Sequence, residues 1–314
     1  MSLPFIDVVV CTFNRAAMLE GIISSLMAQT YPAERYLVTV VDDGSADETW
    51  RKLEQMAASQ SRLRPLRIAH AGLSAARNRG WRSGGGDIVT FTDDDCLADP
   101  GWLAAVARTF ADHPEALGAV GKTVTVAEQV TPMTHQVVVT GPNTIYHGCN
   151  MAYRREVLSA VGGFDEAAHY AEDSQFAAAV LTRGPILFAP EIVIIHPPRP
   201  RVFLDRERWT QRLEGALRLY CRYPTFYRRN RGANFLTVVL LKWVLGATVK
   251  NILIEIPWLF RNPALYSRFL VRLLRERLTL LTMFPAFWRE HRSWVNDIRT
   301  ADPQDRVKSA EASK

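Results

Sequence analysis

The feature that most constrains this chain is an alternation in its first 117 residues. Short apolar runs at 6–11, 36–41, 66–69 and 87–92 alternate with segments of helical periodicity, and the connections between them are short. Leu19, Ile22, Ile23, Leu26 and Met27 recur at the spacing of one helix face. Asp47 and Ser74 stand where N-caps would open the second and third helices, and Pro100-Gly101-Trp102 opens a fourth. Strands alternating with helices in this way pair in parallel, because each helix carries the chain back to the starting edge of the next strand. The rhythm then loosens, with strands predicted at 120–126, 136–140 and 192–195 and helices at 156–161 and 172–181. The expected fold is α/β: a mainly parallel, Rossmann-like sheet flanked by helices over residues 1–198. A mostly helical, basic and aromatic extension at 199–300 and a polar tail at 301–314 follow.

The net charge of +6 conceals −7 over residues 1–198 and +13 over 199–314. An acidic half suits a bound cation, and a basic half suits anionic lipid or another phosphate-bearing partner. Cys11, Cys96, Cys149 and Cys221 have the spacing of neither a zinc site nor a disulfide framework, so reduced thiols in a cytosolic setting are expected. No charged segment followed by a long apolar run marks a signal peptide.

In open α/β sheets ligands bind beyond the carboxyl ends of the strands. Three predicted strand ends carry polar clusters: Thr12-Phe13-Asn14-Arg15, Asp42-Asp43-Gly44-Ser45 and Asp93-Asp94-Asp95. Carboxylates converging on one crevice repel unless a cation or a donor-rich ligand lies between them. Magnesium or manganese, held by one or two carboxylates and by substrate phosphates, meets that need. Solvated loop acids are the bland alternative.

Five segments occur in order: "VVVCTFNRAAML", "VVDDGSADET", "AGLSAARNRGWRSGGGDIVTFTDDDC", "GCNMAYRREVLSAVGGFDE" and "AEDSQFAAAVLTRG". Together they resemble family 2 glycosyltransferases with the A-type nucleotide-sugar fold, over about residues 4–198. The resemblance implies a nucleoside-diphosphate sugar donor, with uridine the commonest base, and Mn2+ or Mg2+ as cofactor. It places Asp42 and Asp43 at the base and ribose, Thr12, Asn14 and Arg15 in the first loop of the same pocket, and Arg77 and Asn78 near the ribose-diphosphate. Asp93, Asp94 and Asp95 match the acidic DxD-type motif, with Asp93 and Asp95 at the alternate spacing and Asp95 the expected direct metal ligand. Gly148, Asn150 and Glu172 fall in the sugar and acceptor segment. Asp173 is the expected general base of a single displacement that inverts the anomeric carbon. By analogy with other A-type enzymes, His196 is a candidate third metal ligand. Processive members carry Gln-x-x-Arg-Trp; here Arg208-Trp209 is present but residue 205 is Asp. Transfer of one sugar per event is therefore expected.

The basic half holds five of the eight tryptophans. Its apolar stretch at 235–260 is interrupted by Lys242, Lys250 and Glu255, so no membrane span is predicted. In the next segment Arg268, Arg272 and Arg275 share one helix face, while Leu270, Leu273, Leu274, Leu278 and Leu281 collect opposite. Such a helix suits a membrane interface; packing on the catalytic half is the alternative. The expected partners are the donor, a glycan or lipid-linked acceptor and an anionic membrane, with no nucleic acid. The expected location is the cytoplasmic face of the plasma membrane. Two rivals are a nucleotidyltransferase, which would need a Gly-rich basic loop after the first strand, and a non-catalytic membrane-bound scaffold. An oxidoreductase is disfavoured, since no Gly-x-Gly-x-x-Gly follows the first strand.

Overall fold

The computed structural model describes residues 3–142 and 146–296. The predicted polar tail lies outside the described residues. The chain divides into two compact units, one of residues 1–130 and 136–199, the other of residues 131–135 and 200 onward.

The first unit is a mixed, mainly parallel sheet flanked by helices. Its strands are β1 (Ile6–Thr12), β2 (Tyr36–Asp42), β3 (Leu63–Arg67), β4 (Ile88–Asp93), β5 (Leu97–Ala98), β6 (Gly118–Val124), β7 (Met151–Arg154) and β8 (Ile186–Ile195). They lie in the order β3-β2-β1-β4-β7-β6-β8-β5. Strands β1, β2, β3 and β4 run parallel to one another, while β7 is antiparallel to both β4 and β6. The register sets the site: Thr12 lies beside Asp42, and Cys11 beside Asp93, so the carboxyl ends of β1, β2 and β4 open at one edge.

The helices are α1 (Leu19–Met27), α2 (Thr49–Ala58), α3 (Leu73–Ser83), α4 (Trp102–Asp112), α5 (Arg155–Val161) and α6 (Glu172–Leu181). The apolar face of α1 is buried at Leu19, Ile22, Ile23 and Leu26, as its periodicity requires. Asp47 accepts the Thr49 amide at 2.9 Å, serving the start of α2. Ser74 does not cap α3, because the helix begins one residue before it, with Gly72 at the N-cap. The predicted strand at 136–140 reduces to a single bridge between Thr123 and Val139, and β8 begins six residues earlier than expected, at Ile186.

In the second unit, α7 (Arg206–Arg222) and α8 (Pro224–Arg231) are followed by a short α turn (Phe235–Thr237) and a π-helical run (Val238–Gly246). Helices α9 (Ala247–Arg261) and α10 (Pro263–Asn296) complete it. Asp205 caps α7, its Oδ1 accepting the Arg208 amide at 2.9 Å. Trp209 is buried against Trp243, with ring centroids 5.9 Å apart, and Arg212 lies over both rings. Contrary to the sequence expectation, Pro224–Arg261 is long and apolar enough to cross a membrane by length and composition, and only 17% of its most apolar window is buried. The charged residues that interrupt it are few enough for an 18-residue window to stay apolar. The leucines of α10 also divide: Leu273 is buried beside Tyr266 and Phe269, whereas Leu274, Leu278 and Leu281 are exposed.

Candidate active site

The ends of β1, β2 and β4 surround a cavity of about 350 Å³ lined by Thr12, Phe13, Arg15, Asp43, His70, Asp93, Asp94 and Arg199, among others. At one side Phe13 stacks on His70, with ring centroids 4.2 Å apart and planes inclined by 17°. Asp43 stands beside them. Its Oδ1 accepts the Ala71 amide at 2.8 Å and its Oδ2 the Gly72 amide at 2.9 Å. His70 Nδ1 also lies 2.8 Å from Oδ2. The two amides engage two of the carboxylate's four acceptor positions, while the hydrogen bond of His70 Nδ1 goes to the Asp43 carbonyl at 3.1 Å.

The acidic triplet is divided in its roles. Asp94 is buried, and its carboxylate accepts from Thr12 Oγ1 at 2.8 Å and Arg15 Nη1 at 2.7 Å. Burial raises its pKa, and Arg15 opposes the rise. Asp94 thus ties the end of β1 to the end of β4. Asp95 Oδ2 accepts from Arg15 Nη1 at 3.0 Å, and Arg199 Nη1 lies 3.7 Å from the same oxygen. Asp95 Oδ1 faces His196 Nε2 at 3.6 Å, and neither buried atom has a hydrogen-bond partner. His196 Nδ1 lies 2.9 Å from the Pro197 carbonyl. Donation by Nδ1–H to that carbonyl leaves Nε2 with a lone pair. Two buried lone-pair atoms facing each other are costly unless a cation joins them. The carboxylate oxygen and the imidazole nitrogen at Asp95 and His196 fit Mn2+ better than Mg2+, which prefers oxygen ligands alone; Cys96 Sγ lies within 4.8 Å of both.

Arg77 links this triplet to the second acidic pair. It is buried, with Nη1 2.8 Å from Glu172 Oε1 and Nη2 3.6 Å from Asp93 Oδ1. Burial alone would lower its pKa, but Glu172 and Asp93 more than reverse this, so it stays charged. Gly148 allows that position: an added Cβ would fall 2.1 Å from Arg77 Nη2. The Gly148 amide donates to Asp173 Oδ2 at 3.1 Å, and the Ser174 amide donates to Oδ1 at 2.6 Å. Burial, reinforced by the charge of Glu172 and opposed by Arg77, pushes the Asp173 carboxyl up to about 7. A carboxylate poised there can accept a proton near neutral pH.

Four residues expected in the pocket hold loops and strands through hydrogen bonds or ion pairs; Asp42, Asn78 and Asn150 are buried, and Asn14 is exposed. Asp42 is fully buried, its Oδ1 accepting the Ser45 amide at 3.0 Å and its Oδ2 lying 3.2 Å from Arg67 Nε. Asn14 Oδ1 accepts the Ala46 amide at 2.8 Å and shapes the β2–α2 loop. Asn78 exchanges hydrogen bonds with the backbone of Phe164, both at 2.8 Å, and donates to Glu166 Oε1. Asn150 donates to the carbonyls of Lys122 and Ile192, each at 3.0 Å, and accepts from Trp102 Nε1. With donors and acceptors so engaged, Asn78 and Asn150 position loops and strands rather than face the cavity. Phe13, His70 and Arg199 were not singled out in the sequence. The aromatic directly after β1 was the available signal for the first.

Residues 7–162 match the sequence model of "Glycosyl transferase family 2". The chain is 28% identical over 211 residues to "Glycosyltransferase AglE" of Haloferax volcanii, covering 63% of this chain and 69% of that protein. It is 29% identical over 182 residues to the "Glucosyl-dolichyl phosphate glucuronosyltransferase" of the same organism, covering 51% of this chain and 56% of that one. In fold it is similar to a mannosyltransferase from Pyrobaculum calidifontis in complex with GDP-Man and Mn2+, at 20% identity and a TM-score of 0.59, covering 90% and 87% of the two chains. It is also similar to S. aureus TarS 1-349 in complex with UDP-GlcNAc, at 17% identity and a TM-score of 0.59, covering 90% and 92%. These likenesses identify the sheet as the A-type glycosyltransferase fold. Through its first unit the chain belongs to glycosyl transferase family 2, and it is a glycosyltransferase.

Proposed function

We propose that the protein moves one sugar from a uridine-diphosphate sugar, with inversion, to a hydroxyl of a lipid-linked or cell-envelope glycan. The observation that carries this reading is the buried, unpartnered pair Asp95 Oδ1 and His196 Nε2 beside the cavity that ends at Asp43. Uracil offers a single imide N–H, which an acceptor position left open on Asp43 can take. Phe13 and His70 supply a ring face for the base.

Arg15 and Arg199 lie where a diphosphate would enter and can donate to its oxygens. A divalent ion held by Asp95 and His196, with Asp93 near, would supply charge neutralisation to the leaving diphosphate. Asp173, oriented by the Gly148 and Ser174 amides, takes the proton from the acceptor hydroxyl as its oxygen attacks the anomeric carbon. Arg77 keeps Glu172 and Asp93 neutralised beside it. The lipid-linked acceptor is supported by the dolichyl phosphate named for one relative. The exposed apolar and basic surface of the second unit supports work at the cytoplasmic face of the plasma membrane. Asp205 in place of the processive glutamine, spent here on capping α7, supports single transfer.

A thermal-shift comparison of nucleotides with Mn2+ tests the donor. UDP should stabilise the protein, and GDP should bind about tenfold more weakly or worse. Equal or greater stabilisation by GDP would refute the uridine assignment.

A further inference from the structure

The second unit carries a cleft of about 420 Å³ between the N-terminus of α7 and one face of α10. Arg201, Arg208, Arg272 and Arg275 line it, with Asp205 and Glu276 as the acidic residues. The acids are occupied within the unit. Asp205 caps α7, and Glu276 accepts the Leu204 amide at 3.2 Å and lies 3.4 Å from Arg277. Arg201 is held by Glu255 at 3.7 Å and lies over the Phe269 ring. The Arg272 guanidinium lies over Phe203, which also lines the cleft, and both Arg272 and Arg275 are exposed. The cleft therefore presents guanidinium donors in excess of its acids.

The neighbouring face of α10 has the opposite character. Val271, Leu274, Leu278 and Leu281 are all exposed, at helical spacing, directly beside the arginines in sequence. Helix α9 extends this apolar surface with Val249, Leu253, Ile254 and Phe260. Its other side is pinned to the unit through Glu255 and Arg201, and Thr248 accepts from Arg277 at 3.0 Å. Apolar side chains on one face and basic groups at its border describe helices lying in the interface of a bilayer. A nucleic acid would leave the apolar strip in water, whereas a lipid covers the strip with hydrocarbon and the arginines with phosphate.

We propose that this cleft binds the phosphate of an anionic membrane lipid, with α9 and α10 seated in the interface beside it. The assignment rests on the membrane-facing reading of the second unit given above, and specifies where the contact is made. The test is flotation of the full chain with vesicles of equal parts phosphatidylglycerol and phosphatidylcholine, against phosphatidylcholine alone. The protein should bind the anionic vesicles preferentially. The double variant Arg272→Gln/Arg275→Gln should bind them about thirtyfold more weakly, two near-surface charges being removed. The matched variant Arg228→Gln/Arg229→Gln, on the exposed side of α8, should lose no more than about threefold.

Equal losses in both variants would overturn the cleft, leaving only diffuse charge. Stabilisation of the free protein by inorganic phosphate, abolished in the cleft variant and without any vesicle binding, would overturn the lipid assignment. So would a dimer that Leu278→Glu splits, again without vesicle binding. UDP binding with Mn2+ should be unchanged in the cleft variant, which shows that its first unit is folded, and its helical circular dichroism should match wild type, which shows the same of the second. Failure of the wild-type protein to bind UDP would instead count against the donor site and leave the vesicle result standing.

Discussion

Replacing Asp173 with Asn is expected to lower turnover by about 10²–10⁴-fold, the usual contribution of a positioned base, while UDP binding with Mn2+ stays within about twofold of wild type. The side chain is nearly isosteric, and the Gly148 and Ser174 amides that hold it belong to the backbone. Asn keeps only one acceptor oxygen, so the proton acceptor is lost together with one of the two amide hydrogen bonds. The same assignment fixes a pH dependence. The carboxyl is pushed up to about 7 by burial and by Glu172, so wild-type kcat/KM should rise as pH climbs through about 7 and level off above it. Linkage has the opposite sign for stability. A group whose folded pKa is raised stabilises fully below its unfolded value, ~3.9, and that contribution is lost as pH rises through about 7. The Tm difference between pH 5 and pH 8 should therefore shrink in Asp173→Asn. Steady-state kinetics and thermal melts at several pH values check both; normal transfer by the variant would remove the proposed base.

The second large effect is on Arg77. Arg77→Met keeps much of the side-chain length and deletes the charge between Glu172 and Asp93. Breaking a buried pair costs about 3–5 kcal/mol, because the partners stay buried and uncompensated. A Tm fall of roughly 10 °C is expected in a unit of this size. The fall should be smaller at pH 5 than at pH 8, since protonation of Asp173 removes one of the charges that Arg77 no longer balances. An unchanged Tm, or a loss independent of pH, would show that Arg77 does not hold the acidic cluster together.

These two residues show how far the sequence reaches. Asp43, Asp93 and Asp95 were legible because charged side chains at the end of an apolar strand have no packing role, and the α/β alternation turns those ends toward one edge. Asp173 was legible as an acid opening a helix, within an ordered set of family motifs. Asn78 and Asn150 were misplaced for a definite reason. An amide that contacts a sugar hydroxyl and one that satisfies the orphan backbone groups of Phe164, Lys122 or Ile192 are the same letter. Only the tertiary path of the chain decides which backbone groups are left without partners. The pairing of Arg77 with both Asp93 and Glu172 spans a separation of 95 residues on one side, beyond the range of any local pattern. In α10, periodicity grouped the leucines correctly as apolar. It could not distinguish Leu273, covered by Tyr266 and Phe269, from Leu274 and Leu278 in the open.

The central claim is that the negative cluster at the sheet edge is built around a divalent ion and a diphosphate. Calorimetric titration of UDP into wild type and Asp95→Ala, each with and without Mn2+, tests it most directly. Mn2+ should tighten UDP binding to wild type by about tenfold or more, and that gain should vanish in Asp95→Ala while metal-free affinity changes little. An equal Mn2+ gain in both proteins would contradict the account.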